Sequence, residues 1–213
     1  MSLDQEFESI KQFNKDSIDT LFIHLDNSNI LDYRKNKKYK YGSEDHFAAL
    51  KEKFISGREI KIEKEQLSEP DPALYFAIKT KLNIQDDEEL KSIQKSHSLC
   101  MEMENIIGAI LEDYIHSISN ELNWIWCSGD IVRAIDFIKK NKDGSWEMLQ
   151  IKNSDNSENS SSKKVRKGTA IKMWFRRFSK KKSFNWDELN KIMSTKKFSE
   201  QNFLDFLEIK LKS

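Results

Sequence analysis

The sequence predicts a mixed α/β domain, with a central sheet flanked by helices. Two observations carry this prediction. Residues 99–120 place apolar side chains three and four positions apart, which is the spacing of one face of an α-helix. Residues 131–138 and 146–152 are short and largely apolar, and a Lys/Asn/Asp/Gly turn at 139–144 separates them, which indicates a β-hairpin. A long helix therefore precedes two antiparallel strands.

Most other segments predict helices. We expect one domain over residues 1–213, with a mostly helical part at 1–95 and the core at 97–187. Residues beyond 162 are expected to be mostly helical as well. The further predicted helices cover residues 4–32, 45–55 and 73–82, and another begins in the acidic run 86–90.

Composition narrows the class of protein. Hydrophobic residues make up 38% and aromatic residues 11% of the 213, which argues for a folded core rather than disorder. No apolar run approaches the roughly 20 residues of a membrane helix, and the first residues lack a signal-peptide pattern. The two Cys and four scattered His give no zinc spacing. We expect a soluble cytoplasmic protein with no membrane partner.

The net charge of +1 hides a strong asymmetry. Residues 139–197 contain 17 Lys and Arg against 6 Asp and Glu, whereas the rest of the chain contains 19 basic and 29 acidic residues. Five Trp and Phe residues lie within the same basic stretch, between positions 174 and 186. A basic region with interleaved aromatic residues indicates a folded surface that binds a polyanion, although charge runs are often only solvated helix faces.

Three polar residues stand on the predicted hairpin. Asp136 lies inside an apolar strand, and strand alternation places Gln150 and Lys152 on one face of the returning strand. Hairpin pairing would bring Asp136 beside them. Carboxylates that hold a metal ion, with a Lys to serve the attacking water, are the minimal equipment for hydrolysing a phosphodiester. The arrangement therefore predicts a Mg²⁺-dependent catalytic site.

The sequence alone does not decide which residue supplies the second carboxylate of that site. The long helix offers Glu104 and Glu112 on one face, with Gly108 between them to allow close approach of the sheet or a phosphate. Glu158 is a third candidate. Because Gln150 is a neutral, weaker ligand, we assign the metal to Asp136 and Glu104 and keep Glu112 and Glu158 as alternatives.

A hydrogen-bonding segment follows the predicted catalytic Lys. Asn, Asp and Ser side chains match the donors and acceptors on base edges, and Lys and Arg match phosphates. The segment therefore predicts base reading followed by backbone contacts on double-stranded DNA. The predicted base-reading residues are Asn153, Asp155, Asn156, Ser157, Asn159 and Ser160, and the predicted phosphate contacts are Lys163, Arg166, Lys167, Lys172 and Arg176.

These blocks resemble restriction endonucleases of the SinI and ScrFI kind. The resemblance covers roughly residues 97–187 and includes Ile131–Ile138, Leu149–Asn153, the Asn/Ser-rich block 155–162 and Met103–Gly108. It implies a core of the PD-(D/E)XK type, Mg²⁺ as cofactor, a homodimer and a short palindromic site of G·C pairs. It also implies that Asp136 binds the metal and that Lys152 serves the attacking water. A cognate DNA methyltransferase is expected in the same system.

Two alternatives remain at this point. A repair or structure-selective nuclease of the same fold needs mainly backbone contacts, which a long base-reading segment argues against. A DNA-binding module without catalysis would use the basic region alone, and it would leave Asp136 unexplained inside an apolar strand. The sequence therefore favours a type II restriction endonuclease.

Overall fold

A computed structural model describes residues 33–59, 72–156, 163–164 and 166–212. The predicted helix at 4–32 lies outside these residues. The helices are α1 (Glu44–Ser56), α2 (Pro72–Leu82), α3 (Asp87–Ser119), a 3₁₀ turn (Asn120–Leu122), α4 (Trp186–Ile192) and α5 (Glu200–Lys212). The strands are β1 (Ile125–Trp126), β2 (Phe137–Lys140), β3 (Trp146–Ser154) and β4 (Ile171–Arg177).

The four strands form one mixed sheet in the order β1-β2-β3-β4. β1 and β2, and β2 and β3, pair antiparallel, whereas β3 and β4 pair in parallel. The predicted hairpin is confirmed, with Phe137 opposite Leu149 and a turn closed by the Asn141 N–H bond to the Ser145 carbonyl at 2.8 Å. The prediction of a mixed sheet with flanking helices is also confirmed.

The first strand of the hairpin is shorter than predicted. Residues 131–136 precede β2 as turns and loop, because the backbone enters the left-handed region at Gly129, Asp130 and Ala134. The apolar side chains of Ile131, Val132 and Ile135 are buried without forming a strand. Their apolar run therefore reflects core packing, which gives the same composition as a buried strand.

The expectation of mostly helix beyond residue 162 is wrong for β4. Residues 171–177 form a strand because they complete the ladder of β3, with Ile151 opposite Trp174. Gly168 before the segment and the aromatic residues Trp174 and Phe175 within it favour a strand. The helical spacing of the neighbouring segments led to the prediction of helix instead. The two C-terminal helices, α4 and α5, agree with the prediction.

The chain divides into two compact units, residues 60–110 and the remainder. In the first of these, α2 and the start of α3 are linked by a bond from Lys79 Nζ to Asp87 Oδ1 at 2.7 Å. The predicted helices at 73–82 and 86–90 are confirmed, and the second is continuous with the helix predicted at 99–120. No helix among the described residues is long and apolar enough to span a membrane.

Two apolar centres lie among the described residues of the unit that contains the sheet. In one, Leu50 and Phe54 of α1 pack with Ile131, Ile135 and neighbouring apolar residues of the loop before β2. Gly57 and Gly129 bring their backbones together there, and a Cβ built on Gly57 would lie 2.2 Å from the Gly129 nitrogen.

The second centre is aromatic and lies between the C-terminal half of α3, β4, α4 and α5. The Tyr114 ring meets the Trp186 and Phe203 rings at centroid distances of 5.7 and 5.5 Å. Beside it, Arg176 of β4 is buried and paired with Glu200 of α5 at 2.5 Å. This centre anchors β4 and the C-terminal helices to α3.

Candidate active site

Asp136 is held rigidly at the start of β2. Its backbone N–H donates to the Leu149 carbonyl at 2.9 Å, and its carbonyl accepts from the Cys127 N–H at 2.8 Å. The side-chain Oδ2 accepts from the Ile151 N–H at 2.6 Å. The carboxylate is thus fixed against the middle of β3, beside Lys152, as the hairpin geometry predicted.

Glu112 of α3 is the second carboxylate at this position. Its Oε2 accepts a hydrogen bond from Trp126 Nε1 at 2.9 Å. Burial raises the pKa of Glu112 to about 8, and the Asp136 charge adds to the effect, while Lys152 opposes it. Burial likewise raises the pKa of Asp136 to about 6, against the Ile151 hydrogen bond and Lys152. Two half-buried acids therefore lie within electrostatic reach of each other and of one ammonium group.

Glu104 differs in its surroundings. It is exposed on the part of α3 that belongs to the other unit. A Cβ at Gly108 would meet no described atom within 4 Å. Glu158 lies outside the described residues.

Gln150 is hydrogen-bonded to a basic side chain of the segment that follows β3. The side chain is only 3% exposed in the middle of β3, and its Oε1 accepts a hydrogen bond from Arg166 Nη1. The amide oxygen is therefore engaged by a guanidinium. Arg166, predicted from sequence as a phosphate contact, is brought to β3 by this bond.

The paired acids fit a hard divalent cation. Carboxylate oxygens are the ligands that Mg²⁺ prefers, and a dication would offset the burial that raises the pKa of both groups and the Asp136 charge that adds to it at Glu112. Among the described residues no group of three or more His, Cys, Asp and Glu side chains is placed to hold a metal. Asp136 and Glu112 are two described carboxylates that could hold such an ion, with backbone, water or substrate oxygens completing the coordination.

Two side chains of the predicted base-reading segment are hydrogen-bonded within the protein. Asn153 Oδ1 accepts from Arg176 Nε at 2.9 Å, and Asp155 Oδ1 accepts from the Ser179 N–H at 2.8 Å. Asn156 is exposed. Ser157, Asn159 and Ser160 lie outside the described residues.

The predicted phosphate contacts also differ in exposure. Lys163, Lys167 and Lys172 are exposed, whereas Arg176 is 8% exposed and engaged with Glu200. A phosphate contact from Arg176 would require it to leave that carboxylate.

A lysine loop not singled out from sequence lies between β4 and α4. We use this name for residues 178–184, which with Arg177 line an open depression of about 460 Å³. Lys180, Lys181 and Lys182 are exposed on it, and the Asp155 bond to Ser179 ties it to the segment that follows β3. The loop adds three cations next to the predicted DNA-reading segment.

Comparison with known proteins gives the class and the family. The chain is 38% identical over 175 residues to the type II restriction enzyme Eco47I of Escherichia coli, an alignment that covers 82% of this chain and 76% of Eco47I. It is 37% identical to the type II restriction enzyme SinI of Salmonella infantis, with the same coverage. These relatives make the chain a type II restriction endonuclease. The SinI restriction endonuclease family matches residues 6–213, and the chain belongs to this family.

This result confirms the resemblance that the sequence carried and extends it over the N-terminal part. The family match begins at residue 6, although residues 1–95 gave no resemblance by inspection. The two alternatives, a repair nuclease and a DNA-binding module, are not supported by these relatives.

Proposed function

We propose that the chain cleaves both strands of DNA at a short, G·C-rich palindromic site, with Asp136 and Glu112 as the carboxylates that hold Mg²⁺. The observation that carries this proposal is the proximity of two half-buried acids to Lys152 at the junction of α3, β2 and β3. This pattern is typical of a PD-(D/E)XK core in which the helix, rather than β3, supplies the second acid. The bound ion would neutralise the scissile phosphate and acidify a water molecule.

The remaining steps belong to the chain's own side chains. Lys152 lies two residues beyond Gln150 on β3, so its ammonium group can orient the attacking water through a donated N–H. The Ile151 N–H keeps the Asp136 carboxylate turned toward this position. Arg166, held by Gln150, presents positive charge for a phosphate oxygen in the transition state.

Site recognition is proposed for the segment after β3. Asn156 is exposed and suited to bidentate contact with a base edge, with Ser157, Asn159 and Ser160 following it. Lys163, Lys167, Lys172 and the lysine loop would bind backbone phosphates. A homodimer places one site on each DNA strand, which a palindrome requires. A cognate methyltransferase would protect the host DNA, and we place the enzyme in the cytoplasm.

Cleavage of plasmid DNA with Mg²⁺ tests the catalytic assignment. Asp136→Ala, Lys152→Ala and Glu112→Gln should each abolish cleavage and leave DNA binding largely intact, because each removes transition-state stabilisation worth several kcal/mol. Lys142→Ala, an exposed change in the hairpin turn, is the matched control and should cleave normally. Ordinary cleavage by Glu112→Gln together with failure of Glu104→Gln would move the second ligand to Glu104.

Affinity for cognate and scrambled duplexes across a salt series tests recognition. Asn156→Ala should lose discrimination by ~1–3 kcal/mol, since one base contact is removed. Lys163→Ala and Lys172→Ala should weaken binding to both duplexes and reduce the salt slope by about one ion each. Equal loss on both duplexes for Asn156→Ala would contradict the reading role of that side chain.

A further inference from the structure

We infer that Trp126 is a positioning residue that holds Glu112 in the orientation needed for the divalent cation. The inference rests on the proposed function, because it concerns the same carboxylate. The indole Nε1–H donates to Glu112 Oε2 at 2.9 Å. Hydrogen-bond partners behind a ligating carboxylate orient it and tune its metal affinity, and here the indole engages one carboxylate oxygen of Glu112. Trp126 itself contacts no reacting atom.

The end of β1 holds both acids of the site. Trp126 reaches Glu112 through its side chain, and it pairs in register with Phe137, the residue after Asp136. The next residue, Cys127, donates its N–H to the Asp136 carbonyl at 2.8 Å. Two consecutive residues therefore set the position of the two carboxylates relative to each other. This arrangement is what a shared cation between them requires.

The indole is itself prevented from turning. It is 3% exposed, and it stacks with the Phe137 ring at a centroid distance of 6.5 Å and an interplanar angle of 14°. The His116 ring, one helical turn beyond Glu112 on α3, lies at 5.3 Å. Arg58 donates to the Trp126 carbonyl at 3.2 Å and to His116 Nε2 at 2.8 Å. Arg58 thus links α3 to β1 at the level of the Glu112 bond.

Trp124 supplies a matched comparison two residues earlier. It is 1% exposed, but its Nε1 has no hydrogen-bond partner among the described residues. Trp→Phe at either position removes a similar volume from the interior, whereas only the change at Trp126 removes a bond to Glu112. A packing role predicts similar consequences at the two positions, and a positioning role predicts a difference in cation affinity.

The experiment measures Mn²⁺ binding to the full chain without DNA, by loss of the free-ion electron paramagnetic resonance signal. Trp126→Phe should weaken Mn²⁺ binding 10- to 100-fold, the range typical for removal of a partner behind a metal ligand. Trp124→Phe should stay within about twofold of the parent protein, since the Glu112 contact is kept. Thermal unfolding of both variants reports the packing loss separately.

The following results would test the positioning role of Trp126. Equal weakening by both Trp variants, with binding abolished in Glu112→Gln, overturns the positioning role and leaves the proposed function standing. Unchanged Mn²⁺ binding in Glu112→Gln overturns the cation site, and the inference falls with it. If Trp126→Phe does not fold, the positioning role is tested instead by following the indole N–H resonances of the parent protein by NMR during a Mg²⁺ titration. The Trp126 signal, identified by its Overhauser contact with the Phe137 ring, should shift while the Trp124 signal does not, and no shift overturns the inference.

Discussion

Glu112→Gln should stabilise the metal-free protein at neutral pH while it removes activity. Burial, reinforced by the Asp136 charge, raises the pKa of Glu112 from 4.5 to about 8. Between these values the unfolded chain has released a proton that the folded chain still holds. The contribution of Glu112 to stability is therefore fully present below pH 4.5 and is lost as the pH rises toward 8.

The size of this effect follows from the same shift. One pH unit inside the window costs about 1.4 kcal/mol, so at pH 7 the loss is on the order of 3 kcal/mol. Gln carries no charge and keeps an oxygen that can accept the Trp126 hydrogen bond. Asp136 acts in the same direction over a lower window, from 3.8 to about 6.

Urea unfolding in the presence of a chelator measures the prediction. At pH 7 the variant should exceed the parent protein by on the order of 3 kcal/mol, and at pH 5 by about 1 kcal/mol. Glu104→Gln, an exposed change on the same helix, should leave the stability and its pH dependence unaltered. A Glu112→Gln variant that is no more stable than the parent at pH 7, or an equal gain from Glu104→Gln, would refute the reasoning.

Two further predictions concern the scaffold. Arg176→Met should cost about 3 kcal/mol of unfolding free energy in denaturant titration, because it leaves the largely buried Glu200 carboxylate without its ion-pair partner. Adding Glu200→Gln to this variant should restore part of the lost stability. If the effects of the two substitutions were simply additive, the pairing would be contradicted. Gly57→Ala should lower stability by about 1–3 kcal/mol, since the new Cβ would lie 2.2 Å from the Gly129 nitrogen. Gly108→Ala, with no described atom within 4 Å of the new Cβ, should instead raise stability by about 0.5–1 kcal/mol.

Local sequence patterns were sufficient to predict several features. Helical spacing located most of α3, and the polar turn located the hairpin, since both depend on residues close together in the chain. The hairpin register then placed Asp136 against β3 beside Lys152. The type II restriction endonuclease assignment also followed from sequence blocks, and the relatives confirm it.

Tertiary structure alone decided which side chains meet. Glu104 and Glu112 are of one residue type on one helix, and only the packing of α3 on β1 gives Glu112 its buried contact with Trp126. Arg176 is a basic residue of the type that contacts phosphates, yet in the folded chain it is paired with Glu200. Residues 171–177 form the strand β4 because they pair in parallel with the edge of β3. Each of these outcomes depends on partners distant in the chain, which periodicity does not encode.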